Sequence, residues 1–137
     1  MLRAPRGEGK SFSKMHKAPR PPDDAQRLAN LRMYKILDSA AERAFDDITL
    51  LASRLSKTPI SLITLLDQDR QWFKSHIGIE ISETNRDLAF CEHAIAGEGP
   101  FVICDTLKDE RFRDNALVTG DPRIRFYAGT PLISDEG

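Results

Sequence analysis

Apolar positions along the chain form two helical patterns followed by four extended ones. After Pro21-Pro22, Asp23 precedes Gln26 by three residues, the spacing at which a cap carboxylate and a returning side chain satisfy the first helical amides. Leu28, Leu31, Met33, Ile36 and Leu37 then predict a helix with a broad apolar side that ends near Asp38. Ser39-Ala40-Ala41-Glu42 is a second capping box, and Ala41, Phe45, Ile48, Ala52 and Leu55 follow it as one stripe expected to be buried. From Pro59 the period changes. Ile60 to Leu66 is β-branched and nearly all apolar, the pattern of a central strand covered on both faces. Asp67 to Arg70 is a turn signal, and Gln71 to His76 reads as the returning strand of a hairpin. A polar loop through Gly78 and Ser82 leads to Asp87, which is expected to cap a short helix stopped by Gly97. Phe101 to Cys104 predicts a third strand, and Leu107 to Pro122 an irregular segment with one helical turn at Asp109 to Phe112. Ile124 to Ile133 predicts a fourth strand, before a turn signal at Ser134 to Gly137.

Composition narrows the class. At 137 residues, 40% hydrophobic and 30% charged, the chain suits one domain with one core. No apolar run approaches the roughly 18 residues of a membrane span. The net charge of -1 hides an asymmetry: residues 1–20 carry +5 and the remainder -6. The basic, Gly- and Pro-containing start reads as a disordered lead-in over residues 1–22, with the domain proper at 23–137. The acidic body argues against a specific nucleic-acid partner. Cys91 and Cys104, in a chain with no export signal, are expected as reduced thiols of a cytoplasmic protein.

Candidate chemistry is sparse. Phe90-Cys91-Glu92-His93 places a thiol, a carboxylate and an imidazole together, but residues two apart on a helix point about 200° from each other, so Cys91 and His93 do not meet at one metal atom. Cys91 is expected as a core thiol beside Leu88 and Ile95. His93, beside Ala89 and Phe90, is either satisfied by a buried carbonyl or open to a ligand. Asp67-Gln68-Asp69 begins like a calcium loop, yet Trp72 and Gly78 stand where the loop glycine and bidentate Glu belong. Gly97-Glu98-Gly99 lacks the rest of any nucleotide fingerprint. No catalytic or metal site is therefore expected. Trp72, Phe73, Phe126 and Tyr127, on adjacent strands of one sheet, are expected either to wall an apolar cavity with Arg125 or His93 as its polar anchor, or to be ordinary core. Asp105, Asp109, Arg111 and Arg113 are expected to order the long loop as surface ion pairs.

Longer motifs carry a family likeness. Asp67-Gln68-Asp69-Arg70-Gln71-Trp72-Phe73-Lys74, Ser82-Glu83-Thr84, Arg86-Asp87, Phe90-Cys91-Glu92-His93-Ala94-Ile95, Asp109-Glu110-Arg111-Phe112, Asp114-Asn115 and Ile124-Arg125-Phe126-Tyr127-Ala128-Gly129-Thr130-Pro131-Leu132 occur in order. Together they strongly resemble the GAF domains at the amino terminus of bacterial sensor histidine kinases and diguanylate cyclases. The likeness spans residues 24–137; Arg27-Leu28, Leu31, Ile36-Leu37-Asp38 and Phe45-Asp46-Asp47 match the leading helices.

The resemblance implies an α+β fold, an antiparallel sheet flanked by helices, with a small-molecule pocket between the sheet and its covering loops. Trp72, Phe90, His93, Arg125, Phe126 and Tyr127 are the residues expected to line it. It implies a small-molecule-sensing regulatory module of signal transduction, with three kinds of partner: an unidentified ligand, a second copy of the chain, and an output kinase or cyclase domain. Relatives bind cyclic nucleotides, tetrapyrroles or haem, and no residue set here selects a cofactor; a bilin on Cys91 is not expected from the surrounding motif. The family pattern continues past the last turn with a Gly-led strand, a further strand and a closing helix. The first of these lies between the counterparts of Ile60 to Leu66 and Ile124 to Ile133, so the domain is expected to be partial. Two alternatives stand beside this reading: a methionine sulfoxide reductase-like enzyme using Cys91 and Cys104, and a gene fragment with no function of its own.

Overall fold

Helix α1 spans Asp24–Met33 and α2 spans Arg43–Ser56 in a computed structural model that describes residues 17–135. Residues 1–16 of the expected lead-in, and Glu136 and Gly137 of the closing turn, lie outside the described residues. Lys17 and Arg20 sit on the acidic body: Lys17 Nζ is 2.5 Å from Asp87 and Arg20 is 3.8 Å from Asp69.

Both helices differ from their expected boundaries. In α1, Asp23 makes no side-chain cap, Gln26 donates instead to Asn30, and the helix stops at Met33 because Lys35 and Asp38 take left-handed backbone angles of 49° and 58°. In α2, the Ser39 to Glu42 capping box does not form. The Ser39 hydroxyl donates to the Ile36 carbonyl and accepts from Lys74, which also takes the Glu42 carboxylate. The larger difference is the direction α2 faces. Thr49 is buried and Phe45 and Ser53 are half-buried, whereas Ile48, Leu51 and Leu55, of which Ile48 and Leu55 were expected inside, are 57%, 56% and 76% exposed. Polar contacts decide this: Thr49 Oγ1 lies 2.8 Å from Ser75 Oγ, which donates to Asp46 at 2.6 Å, so the small polar side of the helix is the one keyed to the sheet.

Strands β1 (Ser61–Leu66), β2 (Arg70–Ile77) and β3 (Glu83–Asn85) form an antiparallel sheet in that order. The β1–β2 hairpin stands where expected, closed by the Asp67 amide on the Arg70 carbonyl at 2.8 Å. β1 is an edge strand of this sheet, half-buried except for Leu66, rather than the expected doubly covered centre; β2 is the middle strand. β3 lies within the expected loop, its three polar or charged residues carrying no alternation that marks a strand. A bulge leaves Lys74 unpaired between Phe73 and Ser75, and its ammonium is fully buried at 2.7 Å from Ser39 Oγ, the Ala40 carbonyl and Glu42. Gly78 closes the strand at φ 78°, where an added Cβ would stand 1.9 Å from the Pro59 carbonyl oxygen.

The expected 87–97 helix is two shorter pieces. A 3-10 turn, Arg86–Leu88, is capped by Asn85, which accepts from the Asp87 amide; extended Ala89 then separates it from α3, Cys91–Ala94. A second sheet pairs β4 (Phe101–Ile103) with β5 (Tyr127–Gly129). Between them, α4 (Ala116–Thr119) arises inside the segment expected to be irregular, capped by the Asn115 side chain on the Leu117 amide. β5 is far shorter than the expected Ile124 to Ile133 strand. Its approach is held by other partners: the Ile124 amide donates to Leu117, and Thr106 takes both the Arg125 and Ile124 carbonyls. Phe90, Ile103, Phe112 and Val118 form the buried core under this second sheet, with Phe101, Leu117, Ile124 and Tyr127 packed against it. Among the described residues no helix is long and apolar enough to cross a membrane.

Candidate ligand site

Arg86 fixes the position of the site. Its guanidinium, 2% exposed, reaches Glu92 at 2.5 and 2.7 Å, Asp24 at 2.9 and 3.0 Å and the Asp67 carbonyl at 3.0 Å. One side chain thus ties α1, the β1–β2 turn and α3 into a single frame. Burial pulls the Asp24 pKa upward, but hydrogen bonds from Arg86 and Arg27 outweigh it and hold the carboxyl below its ordinary range. The network escapes sequence reading, because Arg86 lies 62 residues from Asp24.

With α3 so held, Cys91 points to where the two sheets meet. Its sulfur lies 3.1 Å from Gln71 Nε2 of β2, 3.2 Å from the Tyr127 hydroxyl of β5 and 3.5 Å from Thr64 Oγ1 of β1. Thr84 of β3 donates to the Gln71 carbonyl oxygen at 3.3 Å, which turns the amide NH2 toward the sulfur. The expected apolar seat for Cys91 is therefore incorrect: the break at Ala89 removes Leu88 from the α3 face, and the half-buried thiol is ringed by hydrogen-bonding groups. Burial, and then the neighbouring Cys91, push the Tyr127 phenol far up, so it remains neutral. Gly129, two residues on, leaves room for that ring; a Cβ there would lie 2.3 Å from the hydroxyl.

An aromatic group adjoins the thiol. Phe90 stacks on Phe112 at 4.5 Å and on Tyr127 at 5.2 Å, and His93 meets Phe112 edge-on at 4.6 Å. Arg111, paired with Asp109 at 2.6 Å, lies over Phe101 and Phe112. Burial lowers the His93 pKa, with the Arg111 charge adding to it against the opposing pull of Asp109 and Glu92. A neutral imidazole offers one donor and one acceptor at pH 7.

The six expected pocket residues do not all come together. Phe90, His93 and Tyr127 share the cluster. Trp72 belongs to the other sheet and lines a separate cleft of about 490 Å³ between α2 and β2, with Leu50, Lys74 and His76. Phe126 is 48% exposed, and Arg125 is exposed with Nη1 donating to the Val118 carbonyl at 2.9 Å. Trp72 and Phe73 thus do not share a sheet with Phe126 and Tyr127 as expected. The expected loop pairing holds for Asp109–Arg111; Asp105 pairs instead with Lys108 and Arg113 with Asp114. Gln71, Thr64 and Thr84 are not singled out by the sequence, because β1 reads as nearly all apolar, β3 as loop, and the burial along β1 and β2 does not alternate. Among the described residues no three His, Cys, Asp or Glu side chains are placed to hold a metal ion.

A profile of the GAF domain matches residues 40–137. The chain belongs to the GAF domain family. It is also 45% identical over 119 residues to a cyclic di-GMP phosphodiesterase of Pseudomonas aeruginosa, a match covering 87% of this chain and 20% of that protein. The chain thus spans about a fifth of the length of this relative. The two helix-flanked antiparallel sheets are the α+β fold the family implies, and the domain is a sensory module of signalling proteins.

Proposed function

We propose that this GAF domain senses a small molecule in the cytoplasm at the Cys91 cluster, without catalysis of its own, and regulates an output domain. The observation that carries the reading is the convergence on Cys91 of Thr64, Gln71 and Tyr127, from three strands in two sheets, beside a neutral His93. Few convergent polar groups on a largely apolar wall are how small-ligand sites orient their guests. A ligand that takes hydrogen bonds from Gln71 and Tyr127 replaces contacts that now join the sheets. It therefore favours one arrangement of the sheets over another by its differential affinity, which is the condition for regulation. Likeness to a cyclic di-GMP phosphodiesterase supports an output domain that turns over that dinucleotide. A domain boundary near residue 23 is part of the same proposal, α1 being tied in through Asp24.

Calorimetric titration with cyclic AMP, cyclic GMP, cyclic di-GMP and GTP tests the reading. Saturable binding by at least one, weakened roughly tenfold by Gln71→Leu through loss of a hydrogen bond, is expected. Absence of binding by all four, or binding indifferent to Gln71→Leu and Tyr127→Phe, removes the support for this site.

A further inference from the structure

The cleft of about 490 Å³ between α2 and β2 has the size of a small-molecule site. Short polar side chains key the helix to the sheet here, Thr49 on Ser75 and Ser75 on Asp46, and they leave the space between Leu50, Trp72 and Ile77 open.

Two features of its lining point to a guest. The first is a donor without an acceptor. Trp72 is 8% exposed, yet its indole N–H meets no acceptor among the described residues. The nitrogen is not sealed in, since Arg27 Nη2 is the one buried side-chain nitrogen or oxygen left unpaired among those residues. An indole nitrogen only donates, so a nine-tenths buried N–H beside an open cleft calls for an acceptor from outside the chain. The second feature is one-sided charge. The Lys74 ammonium has three donors, and Ser39 Oγ, the Ala40 carbonyl and Glu42 take all of them at 2.7 Å. Asp46 accepts from Ser75 and forms no ion pair among the described residues, while Asp47 has a loose, exposed contact with Arg43 at 3.6 Å. Both carboxylates line the cleft, and neither has a close cation.

We propose that this cleft is a second ligand site, separate from the Cys91 cluster, for a small organic ammonium ion that also carries a neutral hydrogen-bond acceptor. The ammonium sits against Asp46 and Asp47, the acceptor takes the Trp72 N–H, and the apolar body lies on Leu50 and Ile77. The same two carboxylates disfavour a phosphate-bearing guest, so the ligand class differs from that proposed for the Cys91 cluster.

Trp72 is the chain's one tryptophan, so its indole N–H resonance reports this cleft without overlap. Titration of the 15N-labelled full chain with L-leucinol, which joins an ammonium, a hydroxyl and a branched apolar tail, tests the proposal at that resonance. Saturable shifts with a Kd of about 0.1–5 mM are expected, a range open to so small a ligand. Isoamylamine, lacking the hydroxyl, and 4-methyl-1-pentanol, lacking the charge, are each expected to bind at least about threefold more weakly. Asp47→Asn, at an exposed position and therefore compatible with folding, is expected to weaken L-leucinol about two- to fivefold and to leave 4-methyl-1-pentanol unchanged. An indole resonance that does not shift saturably with L-leucinol overturns the proposal. So does equal affinity for the three probes, or L-leucinol binding unmoved by Asp47→Asn.

Discussion

Arg86 is a single residue on which three elements depend. Truncating a buried ion-pair partner leaves uncompensated charge, so Arg86→Met is expected to cost about 3–5 kcal/mol in urea unfolding. Asp24→Asn removes one arm of the same network, and its cost is expected to depend on pH. The folded pKa of Asp24 is depressed, so its stabilisation is fully present above the ordinary Asp value of about 4 and is lost as pH falls through the folded value. The gap between wild type and Asp24→Asn is therefore wide at neutral pH and closes on acidification below that value, as denaturant titrations at both pH values would read. His93 titrates with the same sign higher up. Its lowered pKa means that protonation favours the unfolded chain, so stability falls with pH below its ordinary value of about 6.5, and His93→Gln flattens that part of the profile. Neither role was legible in the sequence. Arg86 and His93 are visible as residues, but Arg86 takes Asp24 from 62 positions away beside the nearby Glu92, and His93 owes its lowered pKa first to burial and then to the Arg111 charge.

At the scale of elements, periodicity located helix and strand well and misjudged what each faces. The β1–β2 hairpin and α2 stand within a few residues of their expected places, because an apolar run with a turn signal and a 3.6-residue repeat are local properties. Which side of α2 packs inward is not local. It is set by Thr49, Ser75 and Asp46, a hydrogen-bonded chain that a hydrophobicity pattern does not weigh. Substitutions on the two sides of α2 should accordingly behave opposite to what the pattern suggests. Thr49→Val is expected to cost about 1–2 kcal/mol because it deletes a buried hydrogen bond, whereas Leu55→Gln changes monomer stability by less than about 0.5 kcal/mol; thermal unfolding of dilute samples compares them. β3 and α4 were missed for a related reason, since each has three or four residues and is held by its neighbours rather than by its own pattern. Gly78 is a further element-level constraint: Gly78→Ala is expected to destabilise by at least about 2 kcal/mol, combining a positive φ with a backbone clash at Pro59.

As a whole molecule, the chain is two small sheets joined at a thiol. The α+β class and the GAF family were legible, because ordered motifs such as Asp67 to Lys74 and Phe90 to Ile95 survive independently of how their residues are packed. The site was legible only in part. Phe90, His93 and Tyr127 fall in one aromatic cluster, but Trp72 turns to the α2 side and Phe126 to solvent, a division that follows from the chain forming two separate sheets rather than one. That division also places two rival sites on one molecule, the Cys91 cluster and the cleft between α2 and β2. Backbone chemical-shift mapping of the isotope-labelled chain against cyclic mono- and dinucleotides distinguishes them directly. The predicted result is saturable shifts clustered on Gln71, Cys91, His93 and Tyr127; shifts centred on Leu50, Trp72 and His76, or no saturable shifts, would contradict sensing at the Cys91 cluster.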